Sequence, residues 1–215
     1  MQRPSGAFVG STEVRDGRWV RQKSRFGDWV TADGSSGYRA EPGRYHLYVA
    51  RACPWSQRAM IVRRLKGLED AIGVSYANPF RDERGWAFPG DGFVDELHGW
   101  DFLSEGYEVS DPTFDGRVTV PVLWDRETGR IVNNDSAHIV RMLNREWDAW
   151  GDASVDLYPE ALRAEIDALN EWIYEDLNNG VYKAGFASSQ EPYDEAFDAV
   201  FGALSRLEEI LSERR

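Results

Sequence analysis

Sulfur is the scarcest chemistry in this sequence. Cys53 is the single cysteine among 215 residues, so neither an intramolecular disulfide framework nor a cysteine-built zinc site can form. Histidine is almost as rare. His46, His98 and His138 are the only three; they stand singly, no two at a metal-ligand spacing, and no metal centre is expected. The sequence contains no G-x-G-x-x-G, no P-loop and no G-x-S-x-G, which leaves nucleotide-binding and serine-hydrolase readings without support. It also lacks any run of 18 apolar residues, so no membrane span is expected. The opening stretch, MQRPSGAFVGSTEVRDGRW, has no apolar core of the kind a signal peptide needs. A reducing cytoplasm is therefore the expected location. Positive charge is in deficit: 25 Lys and Arg against 37 Asp and Glu leave a net −12, the opposite of a nucleic-acid binder.

The apolar content, 42% of residues, is enough for a packed core in one or two domains. Residues 1–43 are rich in Gly, Ser, Arg and Asp and carry single aromatics: Phe8, Trp19, Phe26, Trp29 and Tyr38. They read as an irregular arm laid on the body. Arg44–Ala50 reads as a buried strand and Ile72–Ala77 as a second one. Between them Pro54 suits a first helical position, where its missing N–H is not needed. Ala59, Ile61, Val62 and Leu65 continue at helical spacing, and Arg63, Arg64 and Lys66 read as a solvated basic face. Residues 78–117 look like a long insertion anchored by Trp86, Phe88, Phe93 and Trp100, and long insertions are more often functional than idle.

Val118–Asp125 reads as a strand broken by Pro121, with Arg130–Val132 as its hairpin partner. A helix is expected over Asn134–Leu143, with Asp135 and Ser136 as cap candidates. Residues 147–158 read as a linker. Beyond them the pattern is helical: Leu162, Ile166, Leu169, Ile173 and Leu177 form one stripe, and Phe197, Val200, Phe201, Leu204, Leu207 and Leu211 a second. This order predicts an α/β domain over 44–146 followed by an all-α domain over 159–215.

Cys53 is the leading candidate for chemistry. It falls between a buried strand and a helix opened by proline, where the dipole end of the helix favours an ionised sulfur. Arg51 and Arg58 add positive charge. A thiolate is a nucleophile, whereas most lone cysteines are small buried hydrophobes. The motif is Cys53-Pro54-Trp55-Ser56, so no second thiol can resolve a mixed disulfide within the chain. A redox cycle needs an external small thiol, and glutathione is the obvious cytosolic one. Pro121 fits either an edge strand or a cis bond; a cis Val120–Pro121 bond would turn the Val120 backbone toward a peptide ligand. The start of the next helix, Asn133-Asn134-Asp135-Ser136, can hold a carboxylate on its amides and the Ser136 hydroxyl, and an ammonium on Asp135. A plain N-cap is the alternative.

The ordered runs YHLYVARACPWSQRAMIVRRLKGLE, GWAFPG, GRVTVPVLWD, IVNNDSAHIVRMLN and NNGVYKAGFA resemble the glutathionyl-hydroquinone reductases, cysteine-type members of the glutathione transferase superfamily. The resemblance runs from about Trp29 to the end. It implies a thioredoxin-like N-terminal domain and a helical, glutathione-transferase-type C-terminal domain, incomplete here because family members run roughly a hundred residues longer. It implies Cys53 as nucleophile and Tyr182 as a tyrosine facing the hydroquinone. It implies Trp86, Arg117, Val120, Pro121, Asp135 and Ser136 around bound glutathione; the family often has Glu at the place of Asp135. Glutathione is then the co-substrate, aromatic quinol conjugates are the partners, and a homodimer is an arrangement open to the chain. A glutaredoxin-like disulfide or dehydroascorbate reductase, and a glutathione-binding module without catalysis, stay open beside it.

Overall fold

The computed structural model describes residues 14–81 and 84–213; Phe8 lies outside them. In chain order the strands are β1 (Val14–Arg15), β2 (Arg18–Trp19), β3 (Val30–Thr31), β4 (Tyr38–Arg39), β5 (Tyr45–Ala50), β6 (Ile72–Ala77), β7 (Val122–Asp125) and β8 (Arg130–Asn133). The α-helices are α1 (Pro54–Leu65), α2 (Ser104–Ser110), α3 (Ser136–Arg145), α4 (Arg163–Trp172), α5 (Gly180–Gly185) and α6 (Gln190–Glu213). The chain divides into two units. One holds Lys23–Leu157; among the described residues the other holds 14–22 and 158–213.

In the first unit, four strands form one sheet in the order β6-β5-β7-β8. β5 runs parallel to β6 and antiparallel to β7, and β7 antiparallel to β8. All six residues of β5 are buried, because the sheet is covered on both faces. Tyr45, Leu47 and Val49 join one apolar cluster with Ala59 and Val62 of α1 and Ile139, Met142 and Leu143 of α3. Tyr48 and Ala50 join the other, with Trp86, Phe88, Leu103 and Tyr107. The insertion is thus the second covering layer, and it contains a helix, α2, that periodicity did not indicate. Pro121 carries no amide donor, and β7 begins just after it. The arm is more ordered than expected: Asp28 N–H donates to Val132 O at 3.0 Å and Asn134 N–H to Phe26 O at 3.1 Å, so residues 26–28 run along the edge of β8.

The face of α1 is rotated from the expected one. Ser56, Ala59, Val62 and Arg63 are buried, while Ile61 and Leu65 are exposed. The basic residues are correspondingly not one solvated face. Arg63 is buried and donates to the carbonyls of Ile72 and Glu69 at 2.8 and 2.9 Å. Lys66 is buried too, its Nζ 2.7 Å from Asp148 Oδ1 and 2.8 Å from Val155 O. Arg64 alone stays on the surface, paired with Glu69. Those Lys66 contacts hold residues 148–155 to the first unit, and Trp147 beside them is fully buried. The stretch expected to be a linker therefore packs as part of the core's rim.

The second unit is helical apart from the β1–β2 pair. The stripe expected over 162–177 does not lie on one regular helix: α4 ends at Trp172 and a π-helical turn, Ile173–Asn178, follows. In α6, Pro192, Ala196 and Ala203 are buried, while Phe197, Phe201, Leu204 and Leu211 are exposed. No helix among the described residues is long and apolar enough to cross a membrane.

The Asp125 carboxylate ties the sheet to the chain entering it. Its oxygens accept from Arg44 Nε and Nη2 at 2.8 and 2.9 Å and from Thr128 Oγ1 at 2.9 Å. Burial works against its charge, but these donors prevail and hold its carboxyl below the usual range. Breaking a buried pair by removing one partner costs about 3 kcal/mol. Arg44 keeps Glu41 and Glu127 as partners, so Asp125→Asn should lose less than that, about 2 kcal/mol at pH 7 in urea unfolding. A carboxyl depressed in the folded state contributes stability that is complete above its unfolded pKa and lost as pH falls through the folded one. The gap between the two proteins should therefore close below about pH 4; an unchanged gap at pH 3 would contradict this account.

Candidate active site

The end of β5 delivers Cys53 to the start of α1. Cys53 N–H donates to Ala50 O at 3.0 Å, and its own carbonyl accepts from the Ser56 and Gln57 amides at 3.0 Å each. Cys53 is therefore the N-cap residue, in extended conformation, with Pro54 opening the helix. It is 9% exposed. Ser56, where a second thiol would stand in a dithiol motif, turns inward and accepts the Ala50 amide at 3.3 Å. It closes the strand–helix turn rather than facing a ligand.

The sulfur meets the turn before β7. Cys53 Sγ lies 3.5 Å from Val120 O, and Val120–Pro121 is a cis bond. That turn is pinned from behind by Tyr107 of α2. The Tyr107 hydroxyl donates to Thr119 O at 2.8 Å and accepts from Thr119 N–H and Asn134 Nδ2, each at 3.2 Å. One buried phenol thus fixes both the Val120 turn and the approach to α3. Motif reading missed it, since a tyrosine on a short helix inside an insertion looks like an ordinary core aromatic.

The start of α3 lies beside α1. Asp135 is its N-cap, with Oδ1 accepting from Ala137 N–H at 2.8 Å. Arg58 of α1 donates from Nη2 and Nε to Ser136 Oγ at 2.7 and 3.1 Å. A cation seen in the sequence only as nearby charge thus joins the two helix starts, and their positive dipole ends and Arg58 make this corner suited to anions. Asn133 and Asn134 spend their side chains on the arm, Asn133 Nδ2 donating to Asp28 O and Asn134 Oδ1 accepting Phe26 N–H. α3 begins at Ser136, after the Asp135 cap, and not at Asn134.

Trp86 shares the apolar cluster of Cys53 and Val120. It is 7% exposed, and Arg81 lies over its ring at 4.5 Å. Its indole Nε1 has no hydrogen-bond partner among the described residues; leaving a buried donor unpaired costs about 1–3 kcal/mol. Arg117 is half-buried just ahead of Val118. Cys53, Trp86, Arg117, Val120, Pro121, Asp135 and Ser136 all belong to the first unit. Tyr182 belongs to the second, where it stacks on Trp19 at 5.4 Å and lies under the Arg21 guanidinium at 5.0 Å. Among the described residues no cluster of His, Cys, Asp or Glu is arranged to hold a metal.

A family model for the N-terminal domain of glutathione S-transferases matches residues 52–146. The glutathionyl-hydroquinone reductase YqjG of Escherichia coli is 51% identical over 95% of this chain, which spans 65% of that protein. The glutathione S-transferase omega-like 2 of Schizosaccharomyces pombe is 42% identical over 98% of this chain, which covers 69% of it. The chain belongs to the glutathione S-transferase family. A solved structure of Escherichia coli YqjG with glutathione bound superimposes with a TM-score of 0.84 at 52% identity, covering 88% of this chain and 65% of that one. The thioredoxin-like first domain and the helical second region expected from the sequence are those of the family.

Asp135→Ala removes the side-chain cap of α3. It should destabilise the protein by about 1 kcal/mol in urea unfolding. Loss of less than a few tenths would show that the cap bond contributes nothing to the helix.

Proposed function

We propose that this chain is a glutathione-dependent reductase that removes glutathione from glutathionyl-hydroquinones. The observation that carries the reading is a lone thiol at a helix N-terminus, set against the Val120 carbonyl and without a second cysteine in the chain. Family membership supports it, and so do the reductase name of the Escherichia coli relative and the glutathione bound in that relative's structure.

The reaction has two steps. The Cys53 thiolate attacks the glutathionyl sulfur of the conjugate; a sulfur–sulfur bond forms and the sulfur–carbon bond breaks. The ring carbon keeps the electron pair and takes up a proton, so free hydroquinone leaves. Cys53 remains as a mixed disulfide with glutathione. A second glutathione, as thiolate, attacks that disulfide, releases glutathione disulfide and restores Cys53. The ring is reduced by two electrons and two glutathione sulfurs are oxidised. Ser56 cannot take the place of the second glutathione, because it has no thiol and faces the Ala50 amide.

The first unit offers each end of the tripeptide a chemical match. The Val120 backbone suits strand-like pairing with the peptide, and Pro121 shapes that turn. The amides at the start of α3 with Ser136 suit a carboxylate. Asp135 is half-buried and suits an ammonium. Trp86, with its unpaired indole N–H, and Arg117 complete the assigned glutathione contacts. The role given to Tyr182 toward the quinol ring is part of the same proposal, as is a cytoplasmic location, where reduced glutathione is supplied.

Cys53→Ala should abolish hydroquinone release from a glutathionyl-hydroquinone in the presence of glutathione, while the Kd for glutathione changes by less than about threefold. Both are measurable, by chromatography of the released quinol and by calorimetry. Full turnover in this variant would defeat the scheme. Turnover by the wild type with small mixed disulfides alone would favour the glutaredoxin-like reading, and glutathione binding with no turnover a binding module.

A further inference from the structure

A polar cluster that takes no part in the chemistry above lies on the insertion side of β5. The Asp95 side chain is wholly buried, and four donors converge on it. Tyr48 Oη and the Leu97 amide reach Oδ1 at 3.0 Å each; the His98 and Trp100 amides reach Oδ2 at 3.1 Å each. His98 Nδ1 is 3.0 Å from the same Tyr48 oxygen. Tyr48 has one proton and gives it to Asp95, so His98 donates from Nδ1. The His98 ring stacks on Trp100 at 4.1 Å. Residues 95–100 are thereby wrapped around one carboxylate and fastened to β5 through Tyr48.

The chain leaves this cup directly into 101–103, which pair with 86–88. Phe88 N–H donates to Asp101 O at 2.8 Å, Leu103 N–H to Trp86 O at 2.9 Å, and Ala87 bridges Phe102. The backbone of Trp86 is thus held by a segment whose near end Asp95 fixes. The indole so placed is buried, with an unpaired Nε1, in the cluster of Cys53 and Val120.

We propose that Asp95 is a positioning residue for the thiol site: through Tyr48 and the 101–103 pairing it sets where the Trp86 indole stands, and hence how tightly the glutathionyl group is held. This rests on the functional reading above, but its structural half can be tested without that reading. Asparagine at 95 keeps the shape, loses the charge and turns an N–H₂ toward amide donors. Phenylalanine at 48 keeps the buried ring and removes only the O–H that Asp95 accepts.

The experiment compares wild type, Asp95→Asn, Tyr48→Phe and, as a stability control away from Trp86, Asp125→Asn. Amide hydrogen exchange is read at Phe88 and Leu103, and KM and kcat are measured with a glutathionyl-hydroquinone. In Asp95→Asn, exchange at Phe88 and Leu103 should rise about tenfold while the amides of Leu47 and Val49 hold. KM should rise about tenfold with kcat within about threefold. Tyr48→Phe should move both in the same direction by less, and it carries the test if Asp95→Asn does not fold. Unchanged exchange at Phe88 and Leu103 in a folded variant would overturn the proposal, as would a KM that rises equally in Asp125→Asn. If wild type itself neither binds nor turns over the conjugate, the functional reading falls and exchange alone decides the role of Asp95.

Discussion

The double-sided burial of β5 is the constraint on which the first unit depends. A strand buried on both faces has no solvent-facing side on which to hide an error of register. Tyr45, Leu47 and Val49 must meet α1 and α3; His46, Tyr48 and Ala50 must meet the insertion side. Once both demands are met, the end of the strand is fixed in place, and the three-residue turn after it delivers Cys53 to the head of α1. Burial also forces neutrality where partners are few. His46, bonded to Ser75 Oγ at 2.8 Å, is pushed down to about 4 by burial and stays uncharged at neutral pH.

Around that anchor the site is assembled from backbone ends rather than from a cluster of acids and bases. Two helix starts, one proline turn and one strand end converge in the first unit. Side chains such as Arg58, Tyr107 and Asn134 tie these ends together. A corner of this kind suits a small anionic peptide bearing a sulfur, because exposed backbone amides and helix dipoles meet carboxylates without needing many charged side chains. The overall acidity of the chain is compatible with this, since the favourable field is local to the corner.

Much of this was legible in the sequence because local rules and packing agree there. β6 covers Ile72–Ala77, the stretch read as a strand, since its apolar run ends at clear turn residues. Pro54 and Asp135 announced the two helix starts through capping chemistry. Elsewhere the packing overrode the local signal. Arg63 and Lys66 look like surface cations until one sees that backbone carbonyls and Asp148 satisfy them inside; a sequence does not show partners 82 residues away. The helix α2 is short, and Gly106 within it leaves no room for a Cβ, which would stand 2.6 Å from the Trp100 ring. Its sequence reads as loop, and the contacts that place it, this approach and the Tyr107 hydroxyl bonds, are all to residues outside the helix. Asp95 and Tyr107 gave no motif at all. Their importance lies in how many donors or acceptors converge on one atom, which is a property of the fold.

The central claim is that Cys53 itself takes the glutathionyl group. The most direct measurement is intact mass spectrometry after mixing the protein with one equivalent of a glutathionyl-hydroquinone and no free glutathione. The account predicts one glutathionyl adduct per chain, mapped to Cys53, formed in step with one equivalent of free hydroquinone. Hydroquinone released with the chain still at its unmodified mass would contradict it.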